Sequence, residues 1–219
     1  MILEDYGVKP RTDGGGIPVA SLLEKDVLLS CITQYAQYVD TASLPIACSL
    51  FIKRYAVLTA AAALDYYGFH QQKKDWLSNA YFDVSSFKLL VEEYSSEEVD
   101  LCWKTEIFAN HLTPIIKLAA KICKVPEAML WENVAVRLNS VFRSYDSSSH
   151  LQQLHALHAE LCSEESDWLG LANNPFRRYL HCTFPDPENP KRKTCCRYYE
   201  VSKPGELPYC NVCPLKKSG

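Results

Sequence analysis

The stretch CCRYYEVSKPGELPYCNVCP, residues 195–214, places four cysteines within 19 residues in the pattern CC-x13-C-x2-C. Four thiolates are the ligand set of a tetrahedral zinc site or of an iron–sulfur cluster. Between the two cysteine pairs lie Pro204, Gly205 and Pro208, residue types that favour a turn bringing both pairs to one point. The stretch therefore predicts a metal site whose ligands are Cys195, Cys196, Cys210 and Cys213.

The spacing of these cysteines favours an iron–sulfur cluster over zinc. Structural zinc sites commonly use cysteines separated by two to four residues. Neighbouring side chains in an extended segment point to opposite faces, so Cys195 and Cys196 suit one ion poorly. A [2Fe–2S] cluster offers each of them a separate iron atom. We favour the cluster and keep zinc as the alternative; the assignment of each cysteine to an iron stays open.

Composition and cysteine usage predict a cytoplasmic globular protein. The chain has 219 residues, of which 47% are hydrophobic and 22% charged, as in ordinary soluble domains. Residues 1–6 contain neither basic residues nor a long apolar run, so they do not resemble a secretory signal. Ten cysteines in such a chain indicate reduced thiols, which makes a disulfide pair the less favoured interpretation of the motif.

Charge is distributed unevenly along the chain. The net charge is −3, but residues 176–219 contain nine basic and four acidic side chains. This basic end either attracts an anionic substrate or offsets the negative charge of the four thiolates. An acidic chain without a binding motif argues against a nucleic-acid partner. The candidate substrate ligands are Arg54, Arg192, Lys193 and Arg197.

Hydrophobic periodicity predicts a mainly α fold. Apolar residues recur every four positions from 23 to 39, which is typical of an amphipathic helix. A second helix is predicted from Leu44 to Tyr67, with Gly68 as its stop. It is apolar on nearly every face, but Lys53 and Arg54 at mid-length are costly in lipid. We therefore interpret it as the central buried helix of a bundle, with these two cations reaching a cleft or the surface.

The remaining patterns divide the chain into two parts. Residues 1–18 read as an irregular lead-in, and residues 76–94 predict a small β-hairpin with its turn at 83–86. Helix is predicted to resume at Ser96 and to restart after Pro126. The predicted organisation is a mostly helical body over 1–163 and a loop-rich, cluster-bearing cap over 164–219.

Several other residues have candidate roles that compete with simpler explanations. Two histidines at i, i+3 on a helix can share a metal, but exposed helix polar residues are favoured here. A further cysteine upstream of the motif is a less favoured extra ligand, and three tyrosines either shield the cluster or simply pack beside it. These residues are His155, His158, Cys182, Tyr198, Tyr199 and Tyr209.

At the cysteine motif the chain resembles a known family. The pattern CC, loop, C-x2-C-P resembles the C-terminal signature of the ferric siderophore reductases of the FhuF type. Residues 130–135, LWENVA, are similar to the Trp-Gly-Asn segment of that family, and residues 174–176, NPF, to its Asn-Pro-hydrophobic segment. Two departures are a longer loop between the cysteine pairs and Glu132 in place of glycine.

The resemblance implies a [2Fe–2S] cofactor on the four cysteines and one-electron reduction of a ferric siderophore or a ferric citrate-like chelate in the cytosol. Iron is then released because Fe(II) binds hard oxygen donors more weakly than Fe(III). The chain has no dinucleotide fingerprint, so electrons are expected from a separate donor protein, a ferredoxin or flavoprotein reductase. A peripheral contact with an uptake transporter at the membrane is also expected. The alternatives are a zinc-stapled binding module without redox activity and an iron–sulfur redox sensor.

Overall fold

The computed structural model describes residues 2–12, 14–92, 102–147, 149–165, 167–181, 191–203, 205–206 and 208–216. The helices in these ranges are α1 (Ile2–Asp5), α2 (Lys25–Tyr38), α3 (Leu44–Ala56), α4 (Thr113–Cys123), α5 (Glu127–Ser144), α6 (Leu151–Leu161) and α7 (Phe176–Tyr179). The strands are β1 (Val8–Pro10), β2 (Ile17–Pro18), β3 (Ala80–Asp83) and β4 (Lys88–Val91). The mainly α prediction with a small β element is confirmed.

Helix α3 is the centre of the fold. It continues through π-helical turns, so that one helical stretch runs from Leu44 to Phe69, close to the predicted bounds. The stretch is long and apolar enough to cross a membrane, with a mean hydropathy of 1.4. However, 83% of its most apolar window is buried inside the protein, which is the environment of a core helix. α3 packs against α2, α4 and α5, as the central-helix interpretation predicts.

The β element is a four-stranded sheet built around the predicted hairpin. β3 and β4 pair antiparallel, with Phe82 opposite Leu89. The strand order is β1-β4-β3-β2, so the N-terminal strands extend both edges of the hairpin. The irregular lead-in predicted for residues 1–18 is therefore wrong, because this segment supplies α1, β1 and β2. Strands of two or three residues are too short to show a period in the sequence.

Aromatic residues join the sheet to the helices. Phe82 of β3 and Phe87 of the hairpin turn meet Phe51 of α3 edge to face, with ring centroids 5.9 and 5.3 Å apart. Tyr35 of α2 contacts Phe87 at 4.7 Å between centroids. Such pairs combine large buried area with favourable ring geometry. The hairpin is thus fixed on the face of α3 by one aromatic cluster.

The chain after α6 contains short elements. A single 3-10 turn, Asp167–Leu169, is followed by α7, and another 3-10 turn, Tyr198–Glu200, follows the first cysteine pair. This last turn packs against α3, which brings the cysteine motif next to the middle of the molecule. The start of the helix predicted after Ser96 lies outside the described residues, which resume at 102. The rest of that run is helical, because a π-helical stretch, Thr105–Leu112, leads directly into α4.

Candidate metal centre

The four motif cysteines form two contacting pairs. The Sγ atoms of Cys196 and Cys210 lie 3.7 Å apart, and Cys195 is in hydrogen-bonding contact with Cys213. Two thiolates on one tetrahedral metal with bonds of about 2.3 Å lie about 3.8 Å apart. Adjacent cysteines therefore belong to different pairs. In the described ranges, no three Cys, His, Asp or Glu side chains converge on one point in a way that would hold a single ion.

Positive charge surrounds the first pair. The Nζ atom of Lys53 lies 3.5 Å from the Cys196 sulfur. The pKa of Cys196 is lowered to about 5, chiefly because the Cys210 thiol donates a hydrogen bond to its sulfur. The charges of Lys53 and Arg192 and the backbone N–H of Tyr198 act in the same direction, against the effect of burial. These surroundings favour the thiolate form of Cys196, the form that binds metals.

The backbone after the cysteine pair also points donors at sulfur. Arg197 has a φ of +62°, in the left-handed region that non-glycine residues seldom adopt. Its N–H lies 3.3 Å from the Cys195 sulfur. The side chain of Arg197 turns away and forms a two-point ion pair with Glu200, at 2.6 and 2.9 Å. The unusual backbone conformation thus serves the sulfurs, and the Arg197 charge is neutralised locally.

A buried carboxylate anchors the segment that leads into the motif. Glu132 of α5 is 4% exposed and accepts hydrogen bonds from the backbone N–H groups of Lys193 and Thr194, at 2.6 and 2.7 Å. The Thr194 hydroxyl donates to the same carboxylate. Arg192 lies 3.5 Å from it through Nε. Glu132 therefore fixes the position of the chain immediately before Cys195.

A second anchor holds the motif to α3. The Ser49 hydroxyl donates to the carbonyl of Cys196 at 3.1 Å. Asn133, next to Glu132 on α5, donates to the Ser49 carbonyl and hydroxyl at 2.8 and 3.1 Å. The two cysteine-bearing segments are joined by the N–H of Arg192, which donates to the Val212 carbonyl at 3.0 Å. Helices α3 and α5 thus form the base on which both thiol pairs rest.

A cavity of about 340 Å³ opens beside Cys210. The polar face of α5 forms one wall, and the chain on both sides of the motif forms the other. Tyr198 and Tyr209 line it together with Cys210. Its basic lining residues are Lys53, Arg137, Arg143, Arg178, Lys191, Arg192 and Lys193.

Comparison with known proteins matches one segment of the chain to a protein family. Residues 83–182 match the family described as ferric iron reductase FhuF-like transporter. The FhuF-like resemblance drawn from the sequence is confirmed for this segment. The match includes Trp131 and Asn174 but ends before the cysteine motif. No curated protein matches the chain.

Within the FhuF-like segment, the two short stretches noted in the sequence meet in space. Trp131 packs edge to face on Phe176, with ring centroids 5.6 Å apart. The Asn174 side chain accepts a hydrogen bond from the Phe176 N–H at 2.9 Å, at the start of α7, and its amide donates to the Leu161 carbonyl at 2.8 Å. These residues have a packing role. Their neighbours on α5, Glu132 and Asn133, extend that framework to the cysteines.

The structure separates the predicted substrate residues. Arg192 and Lys193 line the cavity beside Cys210. Arg54 is exposed on α3 and lines a different cavity, of about 430 Å³, formed with α2 and the hairpin turn. Arg197 is not among the residues lining either cavity. Two of the four predicted residues thus line the cavity beside Cys210, and two do not.

The other candidates are distributed as follows. His155 is exposed on α6, and His158 is half-buried with Nε2 3.6 Å from the Cys162 sulfur. Of the three tyrosines, Tyr198 and Tyr209 line the cavity, and Tyr199 is exposed with its ring 6.0 Å from that of Tyr209. Cys182 lies outside the described residues.

Sequence reasoning missed the basic residues of the helices. Arg137 and Arg143 project from the polar face of α5, and Arg178 comes from α7. Arg137 and Arg143 are six residues apart, about 120° around an ideal α-helix, so their spacing gave no clear signal of a shared basic face. Nothing in the sequence indicated that both lie near the cysteines.

Proposed function

We propose that the protein reduces a ferric siderophore or ferric citrate-like chelate by one electron, using a [2Fe–2S] cluster bound by Cys195, Cys196, Cys210 and Cys213. When bound, such a cluster supplies one-electron transfer. The observation that supports the proposal most directly is the division of the four thiols into two contacting pairs. The family segment described as ferric iron reductase FhuF-like supports the reaction class.

The pairing fits a two-iron group better than one zinc ion. A single tetrahedral ion requires all four sulfurs to be mutual neighbours at about 3.8 Å. Here Cys196 contacts Cys210, while Cys195 contacts Cys213. If a cluster binds here, the pairing favours one pair for each iron, with adjacent cysteines on different irons, in agreement with the spacing argument.

The surroundings of the thiols also fit a sulfur-rich anionic group. Arg192 has a side chain that is 1% exposed, and all three of its guanidinium nitrogens are buried without a hydrogen-bond partner among the described residues. Its charge acts on both Cys196 and Cys210. Buried donors of this kind are costly unless an acceptor is present. Thiolates and sulfides that carry a metal would provide acceptors for Arg192.

In the proposed reaction, the chain's own residues position the thiols, set the local charge and give the ferric chelate access to the site. Glu132, Ser49 and Asn133 hold the thiol-bearing segments on α3 and α5. Lys53 and Arg192 stabilise extra negative charge near Cys196 and so favour acceptance of an electron. The cavity beside Cys210 admits the ferric chelate. A reduced ferredoxin or flavoprotein reductase loses the electron, and Fe(III) in the chelate gains it and leaves as Fe(II).

The cytoplasm is the proposed location, and contact with an uptake transporter is a further expectation of the same proposal. Neither is needed for the chemistry. The reaction requires only that the donor protein and the chelate reach the thiol-bearing surface, and Cys195 and Cys210 are both half-buried rather than enclosed.

The test is a visible spectrum of the protein purified without air, with iron and acid-labile sulfide counted. We expect about two irons and two sulfides per chain. The absorbance should bleach with dithionite and return when a ferric chelate is added, with Fe(II) trapped by a ferrous chelator. One zinc per chain and no colour would support the zinc-stapled module instead. A cluster that bleaches but is not reoxidised by ferric chelates would favour the redox sensor.

A further inference from the structure

Four side chains with oxygen or nitrogen donors meet at the end of the central helix, away from the thiols. They come from three parts of the chain and are Tyr6, Asp65, His70 and Tyr145. Asp65 follows Lys53, which contacts the Cys196 sulfur, by 12 residues on the same helical stretch, or about 18 Å. The cluster is therefore separate from the candidate metal centre and from the cavity beside Cys210.

A π-helical turn places two of these groups side by side. Asp65 lies in the turn Leu64–Phe69, and the His70 N–H donates to the Asp65 carbonyl at 3.0 Å, an i→i+5 bond. Such turns are rare and often occur at functional sites. The Asp65 carboxylate and the His70 Nε2 atom are 3.8 Å apart. The Asp65 side chain is 10% exposed and that of His70 is 42% exposed, so the cluster opens to solvent beside His70.

Tyr145, at the end of α5, contacts both groups. Its hydroxyl oxygen lies 2.6 Å from the Asp65 carboxylate and 2.8 Å from the His70 Nε2 atom. Together with the 3.8 Å separation, these distances leave one point about 2.0 Å from all three atoms, the usual bond length of a small cation to oxygen or nitrogen. The Phe69 ring stacks on Tyr145 at 3.8 Å between centroids and holds the phenol in place.

Tyr6 brings a second phenol to the same carboxylate. It lies in the turn after α1, the helix that packs against the π-helical turn. Burial chiefly raises the pKa of Tyr6, and the Asp65 charge and a hydrogen bond between the two side chains add to the rise. Burial also raises the pKa of Tyr145, with the same carboxylate as the further cause. Two phenols thus share one buried carboxylate, and both stay protonated unless a cation replaces their protons.

We propose that Tyr6, Asp65, His70 and Tyr145 form a separate metal site that binds a ferric ion. Phenolate and carboxylate are hard, anionic oxygen donors, which suit a small trivalent cation better than Zn²⁺ or Fe²⁺. Two phenol protons leave on binding, so two phenolates and one carboxylate balance the three positive charges, and a neutral imidazole completes the set. An octahedral ion then keeps two of its six positions for water or a chelating anion. The site does not depend on a cluster and goes beyond the proposed reductase.

The test adds ferric nitrilotriacetate to the complete protein as purified. We expect one further iron per chain without further acid-labile sulfide, and a new phenolate-to-iron charge-transfer band in the visible spectrum. Resonance Raman spectra excited in this band should show tyrosinate ring vibrations. Excess gallium(III), another hard trivalent ion, should displace the iron, whereas the same concentration of zinc(II) should not.

The variant Tyr145→Phe removes only the hydroxyl and keeps the ring that stacks on Phe69. It should weaken iron binding, measured by competition with nitrilotriacetate, by more than about 100-fold. Asp65→Asn should have the same effect. The control is Tyr66→Phe, on the same π-helical turn, because the Tyr66 ring packs instead on Tyr67 at 5.0 Å between centroids. This control should change Kd less than about 3-fold.

Three results would each overturn the inference: no tyrosinate vibrations in the iron-loaded protein, equal binding by Tyr145→Phe and Tyr66→Phe, or displacement of the iron by zinc(II). If circular dichroism shows that Tyr145→Phe does not fold, Tyr6→Phe, at a half-buried position, provides the same comparison. The two proposals fail separately. A protein without a cluster that gains the tyrosinate band removes the reductase alone, and a reductase with its cluster that lacks this band removes the ferric site alone.

Discussion

The helical core and the cysteine segment, residues 191–203 and 208–216, are stabilised in different ways. In the core, α3 buries large side chains such as Phe51 and Tyr55 completely. In the described part of the cysteine segment, the buried side chains are Arg192, Cys196 and Cys213. The core is therefore stabilised by removal of apolar surface from water. The cysteine segment depends on hydrogen bonds to Glu132 and Ser49, on the hydrogen bond between Arg192 and Val212, and on whatever its thiols bind.

This difference predicts that the two regions respond separately to perturbation. Regions with few buried apolar contacts open locally at a lower free energy than the core. A metal that binds only the closed arrangement of thiols stabilises that arrangement by mass action. Loss of metal should therefore loosen the cysteine segment first, while the helices remain folded.

The largest expected effect comes from Cys196→Ser. The change removes the thiolate that Lys53 contacts and that forms half of the 3.7 Å pair with Cys210. We expect loss of the visible chromophore and a fall of more than about 100-fold in ferric chelate reduction, with little change in far-ultraviolet circular dichroism. Cys102→Ser, at an exposed cysteine outside the motif, is the control. Full reductase activity in Cys196→Ser would contradict the proposed mechanism.

The core is tested by Phe51→Ala. This side chain is fully buried among Tyr35, Phe82 and Phe87, so its truncation leaves a cavity and should cost about 4 kcal/mol of unfolding free energy. Urea denaturation followed by circular dichroism measures the cost. Without denaturant the iron content should stay near that of the native protein. Loss of iron equal to that of a motif variant would mean that the two regions are not separable.

The anchor of the cysteine segment is tested by Glu132→Ala. Removing one member of a buried charged group costs about 3 kcal/mol, because Arg192 loses the neighbouring carboxylate and two backbone N–H groups lose their acceptor. If the lost stability concerns only local opening of the cysteine segment, release of iron to a ferrous chelator should be about 100-fold faster. Glu127→Ala, at an exposed site on the same helix, is the control. A shift of helix unfolding as large as that of Phe51→Ala would show that Glu132 belongs energetically to the core.

A smaller effect concerns pH and lies in the core. Burial lowers the pKa of His111 to about 4, and its Nε2 lies 2.7 Å from the Tyr55 hydroxyl. The unfolded chain, with a histidine pKa near 6.5, binds the extra proton more readily, so stability rises with pH between these values. The stabilisation from the neutral ring is complete above about pH 6.5 and should fall by about 2 kcal/mol at pH 5.

In His111→Gln the difference in unfolding free energy between pH 7.5 and pH 5 should shrink by about that amount. Exposed His155→Gln should leave the difference unchanged. The rate of iron release, measured at the same two pH values, reports the pH response of the cysteine segment for comparison with that of the core. A native-like pH difference in His111→Gln would show that another group carries the acid sensitivity.

Elements defined by a continuous pattern were predictable from the sequence. The stretch from Leu44 to Phe69 is apolar on nearly every face, and a helix buried on nearly all sides satisfies that composition. The sequence of the β3–β4 hairpin shows alternating apolar residues and a turn. In that turn, the Asp83 side chain accepts a hydrogen bond from the Ser85 N–H at 2.9 Å. β1 and β2 were not predictable, because their pairing with the hairpin is set by tertiary contact rather than by local preference.

The candidate site was predictable only in its local part. The four cysteines, Arg192 and Lys193 lie within one stretch. Their spacing predicts a metal site with basic residues beside it. Lys53 was expected to reach a cleft or the surface, but its contact with Cys196 joins residues 143 positions apart. The arginines of α5 and α7 enter the cavity by helix packing. Contacts of this range are decided by the fold as a whole and leave no mark on a single sequence.

The buried carboxylate of Glu132 has a consequence for natural variation among relatives. Glycine, the residue expected at this position from the family resemblance, has no side chain to accept the N–H groups of Lys193 and Thr194. A relative with glycine there must supply another acceptor or leave these groups facing solvent. Position 132 and the segment immediately before the first cysteine pair should therefore covary.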